Sequence, residues 1–457
     1  MAATQNLGPR VLIAGTSSGV GKTTITTALM ASLSSKGLKV APAKVGPDFI
    51  DPTYHALACG RRGVNLDTFL LGRDAIPGTL LDASQGSDIS VIEGVMGLYD
   101  GSLMSRTEIS GDLDPRITPG STAEIAALTK TPIIIVADAS STSSSLAAVI
   151  EGFQRFSDQI EIFGVIINNY RSPSHLDLIK SGFKHVDVEL LGAVPRAAFL
   201  SWKSRHLGLV PAVEDYEVAR EAVDILESEV ASRLDIERIA EIARSAPKVA
   251  ATCRLRQVPS PRTVIAVANG PAFSFTYPEN ILALQTAGAE VRYFDPLTDT
   301  DLPEGTEGLY VGGGFPELFA KKLSQNMSLN VQVKNRIQSG LPTWAECGGL
   351  MWLAKAVDGV EMTGVLPTRI AMTAKLSLGY VVASPSIKSC VSDEGVTIYG
   401  HEFHYSKSSP PGVGILFKTR NGAKREGFVS SSLFASYLHV HLGSQQHLAD
   451  RFVSACS

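Results

Sequence analysis

The sequence predicts an α/β protein: a doubly wound parallel sheet followed by a second, separate α/β unit. Three observations predict it. Short, continuously apolar runs alternate with helix-like stretches from residue 10 onward. The alternation is broken once by a segment rich in Pro and Arg, and then it starts again. At 457 residues, finally, the chain is too long for one ordinary domain.

The elements follow in order. RVLIAG (10–15) reads as a buried strand, followed by a Gly-rich turn and a helix, TTITTALMASLSSKG, that stops on Gly37. Further strands are expected in KVAPAKVG (39–46), ISVIEGV (89–95), PIIIVAD (132–138) and IFGVIINN (162–169). Apolar strands without polar alternation, separated by helices, indicate a parallel sheet covered on both faces. Residues 215–245 read as one charged amphipathic helix, and PKVAATCRLRQVPSPRT after it has no periodicity. A second alternation runs through TVIAVANG (263–270), EGLYVGGG (307–314) and LPTWAEC (341–347). The expected division is a first domain over 8–248, a linker over 249–261 and a second domain over 262–457.

Bulk properties exclude several classes. The net charge is −4 without a long run of either sign, so no nucleic-acid footprint and no polybasic membrane patch is present. The strongest apolar run, PIIIVA (132–137), is too short to span a bilayer, and MAATQNLGPR lacks a signal-peptide pattern. Five scattered cysteines without a CxxC pair suit a reducing, cytoplasmic compartment.

GTSSGVGKTT (15–24) lies between a strand and a helix, which is the setting of a phosphate-binding P-loop. Glycines let the backbone N–H groups wrap phosphate. The candidate ATP contacts are Gly19, Val20, Gly21, Lys22, Thr23 and Thr24. Lys22 would reach the β/γ-phosphates, and the Thr23 hydroxyl would ligate Mg²⁺. Strict GxxxxGK[ST] spacing puts Gly at position 16, where this chain has Thr16. Two acidic stretches, KVGPDFIDPTYH (44–55) and VIEGVMGLYDG (91–101), follow strands and so should face the loop. Asp48 and Glu93 join Thr23 as Mg²⁺ candidates, because hard cations take oxygen ligands. Lys44 is placed to stabilise charge on a transferring phosphoryl group.

In the second domain, LPTWAECGGLMWLAKAV (341–357) reads as strand, sharp turn and helix, with Cys347 at the turn. Gly348 and Gly349 would free the elbow, and a helix N-terminus favours a thiolate. A Cys before two glycines is, taken singly, more often a buried structural residue. Here ASYLHVHLG (435–443) also offers His439 and His441 as bases, on one face of a strand-like run, and a GGGFPE loop lies at 312–317. The residues themselves do not choose between the two histidines. GHEFHYS (400–406) invites a zinc reading, but H-E-x-H spacing on a strand would point His401 and His404 to opposite faces, so a loop role is preferred.

Taken together, GTSSGVGKTT, KVGPDFIDPTYH, VIEGVMGLYDG, RHLGLVPAVE (205–214), GGGFPELFA (312–320), AECGG (345–349), GHEFHYS and SYLHVH (436–441) resemble the cobyrinic or hydrogenobyrinic acid a,c-diamide synthases of corrinoid biosynthesis. The resemblance runs from about residue 10 to 445. It implies a dethiobiotin synthetase-like ATPase domain fused to a class I-type glutamine amidotransferase domain. ATP with Mg²⁺, L-glutamine and a tetrapyrrole acid would be its partners, and it allows a homodimer. Cys347 then resembles the glutaminase nucleophile, His439 the histidine that raises its nucleophilicity, and Gly313, Gly314 and Gly348 an oxyanion hole. Asp48, Phe49, Ile50 and Asp100 fall at the substrate end of the ATP domain, and Asn168 resembles an adenine-reading Asn. Two departures stand out. His-Val-His replaces the usual His-Pro-Glu at 439–441, leaving the third triad member open, and Phe49-Ile50 replaces Tyr-Leu.

The implied chemistry is amidation through an acyl phosphate, with ammonia released from glutamine at Cys347. Nickel-sirohydrochlorin a,c-diamide synthase and cobyric acid synthase share this chemistry. A nucleotide switch with a degenerate amidotransferase domain is the contrasting class. The intact Cys347 and His439 oppose it, as do serines at 17 and 18 where partition-type ATPases carry an extra lysine.

Overall fold

The computed structural model describes residues 4–104, 106, 113–196, 216–254 and 257–457, so the 205–214 motif lies outside it. The chain divides into two compact units, Met1–Leu255 and Arg256–Ser457.

The strands of the first unit are β1 (Thr4–Asn6), β2 (Arg10–Gly15), β3 (Val40–Val45), β4 (Val64–Leu66), β5 (Ile89–Glu93), β6 (Ile133–Asp138), β7 (Ile162–Tyr170), β8 (Glu189–Pro195) and β9 (Ala250–Thr252). Seven of them form one sheet in the order β4-β3-β5-β2-β6-β7-β8, and every pair in it is parallel. Both faces are covered. Val11 and Ile13 pack into one apolar cluster while Leu12 and Ala14 pack into the other, as strand alternation requires. This double burial is why the strands read as unbroken apolar runs. Helix α1 (Lys22–Ser35) leaves β2 through the Gly-rich turn and ends before Gly37, whose φ of +85° is a glycine conformation. Helix α2 (Asp51–Cys59) follows β3.

The polar stretch before the linker is not one helix. Helix Tyr216–Ile225 widens into a π turn at Leu226–Val230, tightens at Ala231–Arg233, and stops at an extended Leu234. A new helix, Ile236–Arg244, then starts on the Asp235 side chain, which accepts from Arg238 N–H. Residues 250–254, expected as linker, are held to the first unit. β9 pairs antiparallel with β1, and Arg254 N–H donates to the Asp82 carboxylate at 3.0 Å.

The strands of the second unit are β10 (Thr263–Ala268), β11 (Ala289–Phe294), β12 (Thr306–Val311), β13 (Thr343–Glu346), β14 (Ala356–Val357), β15 (Val360–Glu361), β16 (Arg369–Pro385), β17 (Ile398–Ser409), β18 (Ile415–Thr419), β19 (Gly422–Glu426), β20 (Phe428–Val429), β21 (Leu433–Ser436) and β22 (His439–Val440). One sheet runs β11-β10-β12-β13-β21-β20 and is parallel except at β20–β21. The other is built on the long antiparallel pair β16–β17, with β22 against β17. The run SSLFASYLHVH is therefore not one strand: it leaves the first sheet after Ser436 and joins the second at His439. GHEFHYS is part of β17 rather than a loop. Among the described residues, no helix is long and apolar enough to cross a membrane.

Candidate active sites

In the first unit, the carboxyl ends of β2, β3, β5 and β7 bring the nucleotide candidates together. Gly19 and Gly21 have φ of +75° and +94°, and Gly21 opens α1, which begins at Lys22 with Thr23 and Thr24 in its first turn. A side chain at Gly21 would also strike Asn168, whose Nδ2 would lie 2.3 Å from its Cβ. Lys22 Nζ donates to Ser17 O (3.1 Å) and Met96 O (2.5 Å), holding the loop as a ring around its own lysine. Burial and the neighbouring Lys44 lower its ammonium pKa to about 8.

The acidic residues sort themselves by geometry. Glu93, fully buried, accepts from Thr23 Oγ1 (2.7 Å) and from Lys44 Nζ (3.0 Å), and its other oxygen lies 2.6 Å from His55 Nε2. Asp51 Oδ2 lies 3.2 Å from Thr23 Oγ1 and 2.8 Å from Lys44 Nζ. Asp48, the sequence candidate for the metal, is turned away. Its Oδ1 accepts from Ile50 N–H (2.8 Å) and Asp51 N–H (3.2 Å), so it closes the turn leading into α2, and its Oδ2 stands 3.9 Å from Lys44. Asp51, one helical step on, takes the place expected of Asp48. Asp51 and His55 are the functional candidates that the sequence reading missed. Both lay inside the quoted motif, and only the phase of α2 shows which side chains face the loop.

Electrostatics fit a divalent cation here. Burial alone would lower Lys44, yet Asp51, Glu93 and Asp48 hold it well above its ordinary value. Burial would raise Glu93, yet Lys44, His55 and Thr23 hold it well below the usual carboxylate range. Asp51 goes the other way, pushed up by burial, Asp48 and Glu93 against the pull of Lys44. One lysine thus does not balance the acids around it, and Asp51 Oδ1 is buried with no hydrogen-bond partner. A hydroxyl with two carboxylates, one oxygen of them unfilled, is a hard-oxygen donor set of the kind Mg²⁺ takes with nucleotide phosphates.

Other sequence candidates are placed less favourably. Ile50 is buried in the apolar cluster against α1, and Phe49 packs beside it, so Ile50 has no face for a substrate. Asp100 Oδ2 accepts Gly97 N–H (2.9 Å), closing the loop that follows β5. Asn168 Nδ2 donates to Val20 O (2.8 Å), and its Oδ1 accepts Asn169 N–H (3.0 Å). Those two bonds commit both ends of its side-chain amide to the backbone, and they brace the P-loop where adenine reading was expected.

In the second unit, Cys347 joins β13 to helix α3 (Gly348–Leu353) with φ +45° and ψ −95°. The strain of the elbow therefore sits on the cysteine itself. The two glycines serve packing instead. A Cβ on Gly349 would lie 2.4 Å from Val311 O, and one on Gly348 would lie 3.0 Å from Gly314 N. This contact brings Gly348 against the GGGFPE loop, leaving the Gly348 and Gly314 N–H groups as oxyanion-hole candidates. Gly313 leaves that set because its N–H donates to Phe275 O (2.9 Å). Its role is space: a Cβ there would come 2.4 Å from His439 Cε1.

His439 lies on β22 opposite His401 of β17, with their rings stacked at 4.9 Å and Phe275 at 4.4 Å. His401 contacts Tyr277 Oη (2.9 Å), whereas His404 contacts Ser406 O (2.9 Å) and Glu402 (3.4 Å). The two histidines of the zinc reading thus have separate partners. Burial lowers His439 well below its ordinary pKa, helped by His401 and His404. Burial pushes the Cys347 thiol well up, and Glu317, Glu346 and Glu402 add to this against the Gly348 N–H. The helix terminus does not produce a resting thiolate here. A neutral thiol and a neutral imidazole are the resting pair, and the proton has to move during reaction.

Against known families, residues 11–210 match the CobQ/CobB/MinD/ParA nucleotide binding domain, and residues 264–447 match the CobB/CobQ-like glutamine amidotransferase domain. The chain is 41% identical to a hydrogenobyrinate a,c-diamide synthase of Streptomyces coelicolor, with 98% of this chain and 97% of that one covered. It is 40% identical to a protein of the same name from Thermobifida fusca and 38% identical to a cobyrinate a,c-diamide synthase of Priestia megaterium, with the same coverage. The chain therefore belongs to the family of hydrogenobyrinate and cobyrinate a,c-diamide synthases, as a glutamine-dependent amidoligase with a nucleotide-binding unit ahead of its amidotransferase unit.

Proposed function

We propose that this enzyme amidates the a- and c-acetate carboxylates of hydrogenobyrinic or cobyrinic acid, using Mg·ATP and glutamine, in the cytoplasm. The observation that carries the reading is full-length identity of about 40% to synthases of that name. The two sites support it: a P-loop lysine beside a buried acid cluster in one unit, and in the other a strained cysteine and a buried histidine that both pack against the GGGFPE loop, the first through Gly348 and the second against Gly313.

A free carboxylate does not react with ammonia, because oxide would have to leave. Phosphorylation turns it into an acyl phosphate, whose phosphate leaves readily. In that half Lys22 and the P-loop N–H groups hold the phosphates. Thr23, Glu93 and Asp51 would hold Mg²⁺, which supplies charge neutralisation on the phosphate oxygens. In the other half the Cys347 thiol adds to the glutamine amide carbon while His439 takes the thiol proton. The proton is returned to the departing nitrogen, releasing ammonia, and water then clears the thioester.

The test offers the purified chain hydrogenobyrinic acid, cobyrinic acid and nickel-sirohydrochlorin separately, and counts the amides formed by mass spectrometry. Two amides on a corrin acid are expected, and amidation of nickel-sirohydrochlorin alone would overturn the corrin assignment. Cys347→Ala should abolish glutamine-driven product while ammonium salts still support amidation. Lys22→Ala should remove product from both nitrogen sources.

A further inference from the structure

We propose that Glu346 is the positioning carboxylate of His439, so that the residue before the nucleophile supplies the third member that position 441 lacks. The inference rests on the reading of Cys347 and His439 as the glutaminase pair.

Position 441 faces elsewhere. His441 Nδ1 accepts Gly443 N–H (3.1 Å), and its Nε2 lies 3.6 Å from Glu279 Oε2. Around His439, by contrast, stand His401, Phe275 and the bare backbone of Gly313. The carboxylate on its Nδ1 side is Glu346, with Oε2 at 4.0 Å and both side chains buried. The other histidine nitrogen, Nε2, has no hydrogen-bond partner, and neither has Glu346 Oε1. A buried carboxylate with an unfilled oxygen is expensive to keep, and nothing in the nucleophile's own chemistry requires it.

The carboxylate is also held in place. The Tyr310 hydroxyl and the Val440 N–H hydrogen-bond it. Asn280 ties those two groups together, donating to Tyr310 Oη (3.2 Å) and to Val440 O (2.7 Å) and accepting Leu442 N–H (2.8 Å). The same amide thus fixes the backbone just after His439 and the hydroxyl that holds Glu346. A separation of 4.0 Å is longer than a hydrogen bond. Resting active sites often show such lengths and tighten when substrate binds.

The proton account closes with Glu346 ionised. As Sγ bonds to the glutamine amide carbon, the thiol proton passes to His439 Nε2, and the imidazolium shares its Nδ1–H with the carboxylate. As the C–N bond breaks, the Nε2 proton goes to the departing nitrogen, leaving ammonia, a thioester and a neutral imidazole. A protonated Glu346 would instead donate to Nδ1 and place the ring proton on Nε2, where it blocks the base. Burial holds the Glu346 carboxyl well above the usual range. The groups facing it are Tyr310, Cys347 and His439, with His401 and His404 acting on His439. Turnover should therefore rise with pH as Glu346 ionises.

The experiment is steady-state glutamine hydrolysis by the full chain with ATP and corrin acid present. Glu346→Gln should lower kcat on the order of 10²-fold or more, as loss of an orienting carboxylate does elsewhere. KM for glutamine should stay within about threefold, and the acid limb set by Glu346 should disappear from the kcat profile. Glu279→Gln should stay within about threefold in kcat. Should Glu346→Gln be insoluble, Glu346→Asp replaces it, with a reduced kcat, unchanged KM and a retained acid limb. Wild-type kcat in the variant used, or an equal fall in Glu279→Gln, overturns the assignment. Cys347→Ser in the same assay separates the two levels. If it hydrolyses glutamine, the glutaminase reading fails; if it is dead while Glu346→Gln runs at full rate, only the role of Glu346 fails.

Discussion

Two buried clusters of ionisable groups, one in each unit, are handled in opposite ways. Around the P-loop, buried Lys44 has its ammonium within 3.0 Å of both the Glu93 and the Asp51 carboxylates, and the lysine and Glu93 are held ionised by their neighbours. Around Cys347 no comparable cation acts on the thiol among the described residues, and burial drives the thiol up, the imidazole down and the Glu346 carboxyl up. Desolvation is the largest influence at both sites, so proximity of opposite charge decides the outcome. Phosphoryl transfer needs standing charge to receive phosphate oxygens and metal. Glutamine hydrolysis needs the reverse, a resting neutral pair whose charges appear only as the proton moves.

The most direct way to break that contrast is to discharge the first cluster without changing its shape. Glu93→Gln removes the carboxylate that Thr23, Lys44 and His55 share. It should lower ammonium-driven amidation by roughly 10²-fold or more, beyond the 10–100-fold typical of outer-shell partners of a metal. Asp51→Asn should come close to it. Initial rates with ammonium chloride replacing glutamine measure this without involving Cys347. A variant within a few-fold of wild type would show that standing charge at the cluster is not what the reaction uses.

A second test reads the same contrast through stability. Burial raises the Glu279 and Glu426 carboxyls above the usual carboxylate range, to about 7 and about 8. A carboxyl whose folded pKa is raised binds its proton more tightly in the native state. Its contribution is complete below the unfolded value and is lost as pH rises through the folded one. Buried His401 and His439, held neutral, push the other way below about pH 6.5, so the carboxyls alone set the slope above it. The amidotransferase unit should therefore lose stability between about pH 6.5 and pH 8.5, by about 1 kcal/mol from Glu279 and about 2 kcal/mol from Glu426 on the scale of 1.36 kcal/mol per pKa unit. Calorimetry of the full chain across that range should show its transition moving down, and Glu279→Gln should flatten the slope. A transition that climbs with pH would reject the neutral, desolvated picture of this unit.

What the sequence could show follows from what kind of information each feature carries. Strands β2, β3, β5, β6 and β7 were legible because burial on both faces leaves continuous apolar runs. The P-loop and the Cys347 elbow were legible because glycine and nucleophile spacing is local. The break at Leu234–Asp235 was hidden, since the polar pattern continues through it and the stop depends on Leu234 packing against Gly192. Asp51, Glu346 and the true part of Gly313 were hidden for a shared reason. Each depends on side-chain direction relative to an element away in sequence: α1 for Asp51, β22 for the other two. A motif gives the letters of a site but not the rotation of the helix or strand that presents them.

The mildest substitution tests that last statement most sharply. Asp48 and Asp51 sit three residues apart in one acidic motif, and composition alone makes either a metal ligand. The structure makes Asp48 close the turn before α2 and puts Asp51 against Thr23 and Lys44. Asn makes the same turn-closing bond to the backbone two residues on as Asp does. Asp48→Asn should therefore shift stability by no more than about 0.5 kcal/mol, the range of surface changes away from special features. KM for ATP in the ammonium-driven reaction should stay within about threefold, and the Mg²⁺ concentration needed for half-maximal rate should not move. A rise in that Mg²⁺ requirement as large as that of Asp51→Asn would return the metal to Asp48. It would mean that the acidic cluster rearranges around Mg·ATP by rotating the start of α2, so that the turn-closing Asp48 carboxylate becomes a ligand.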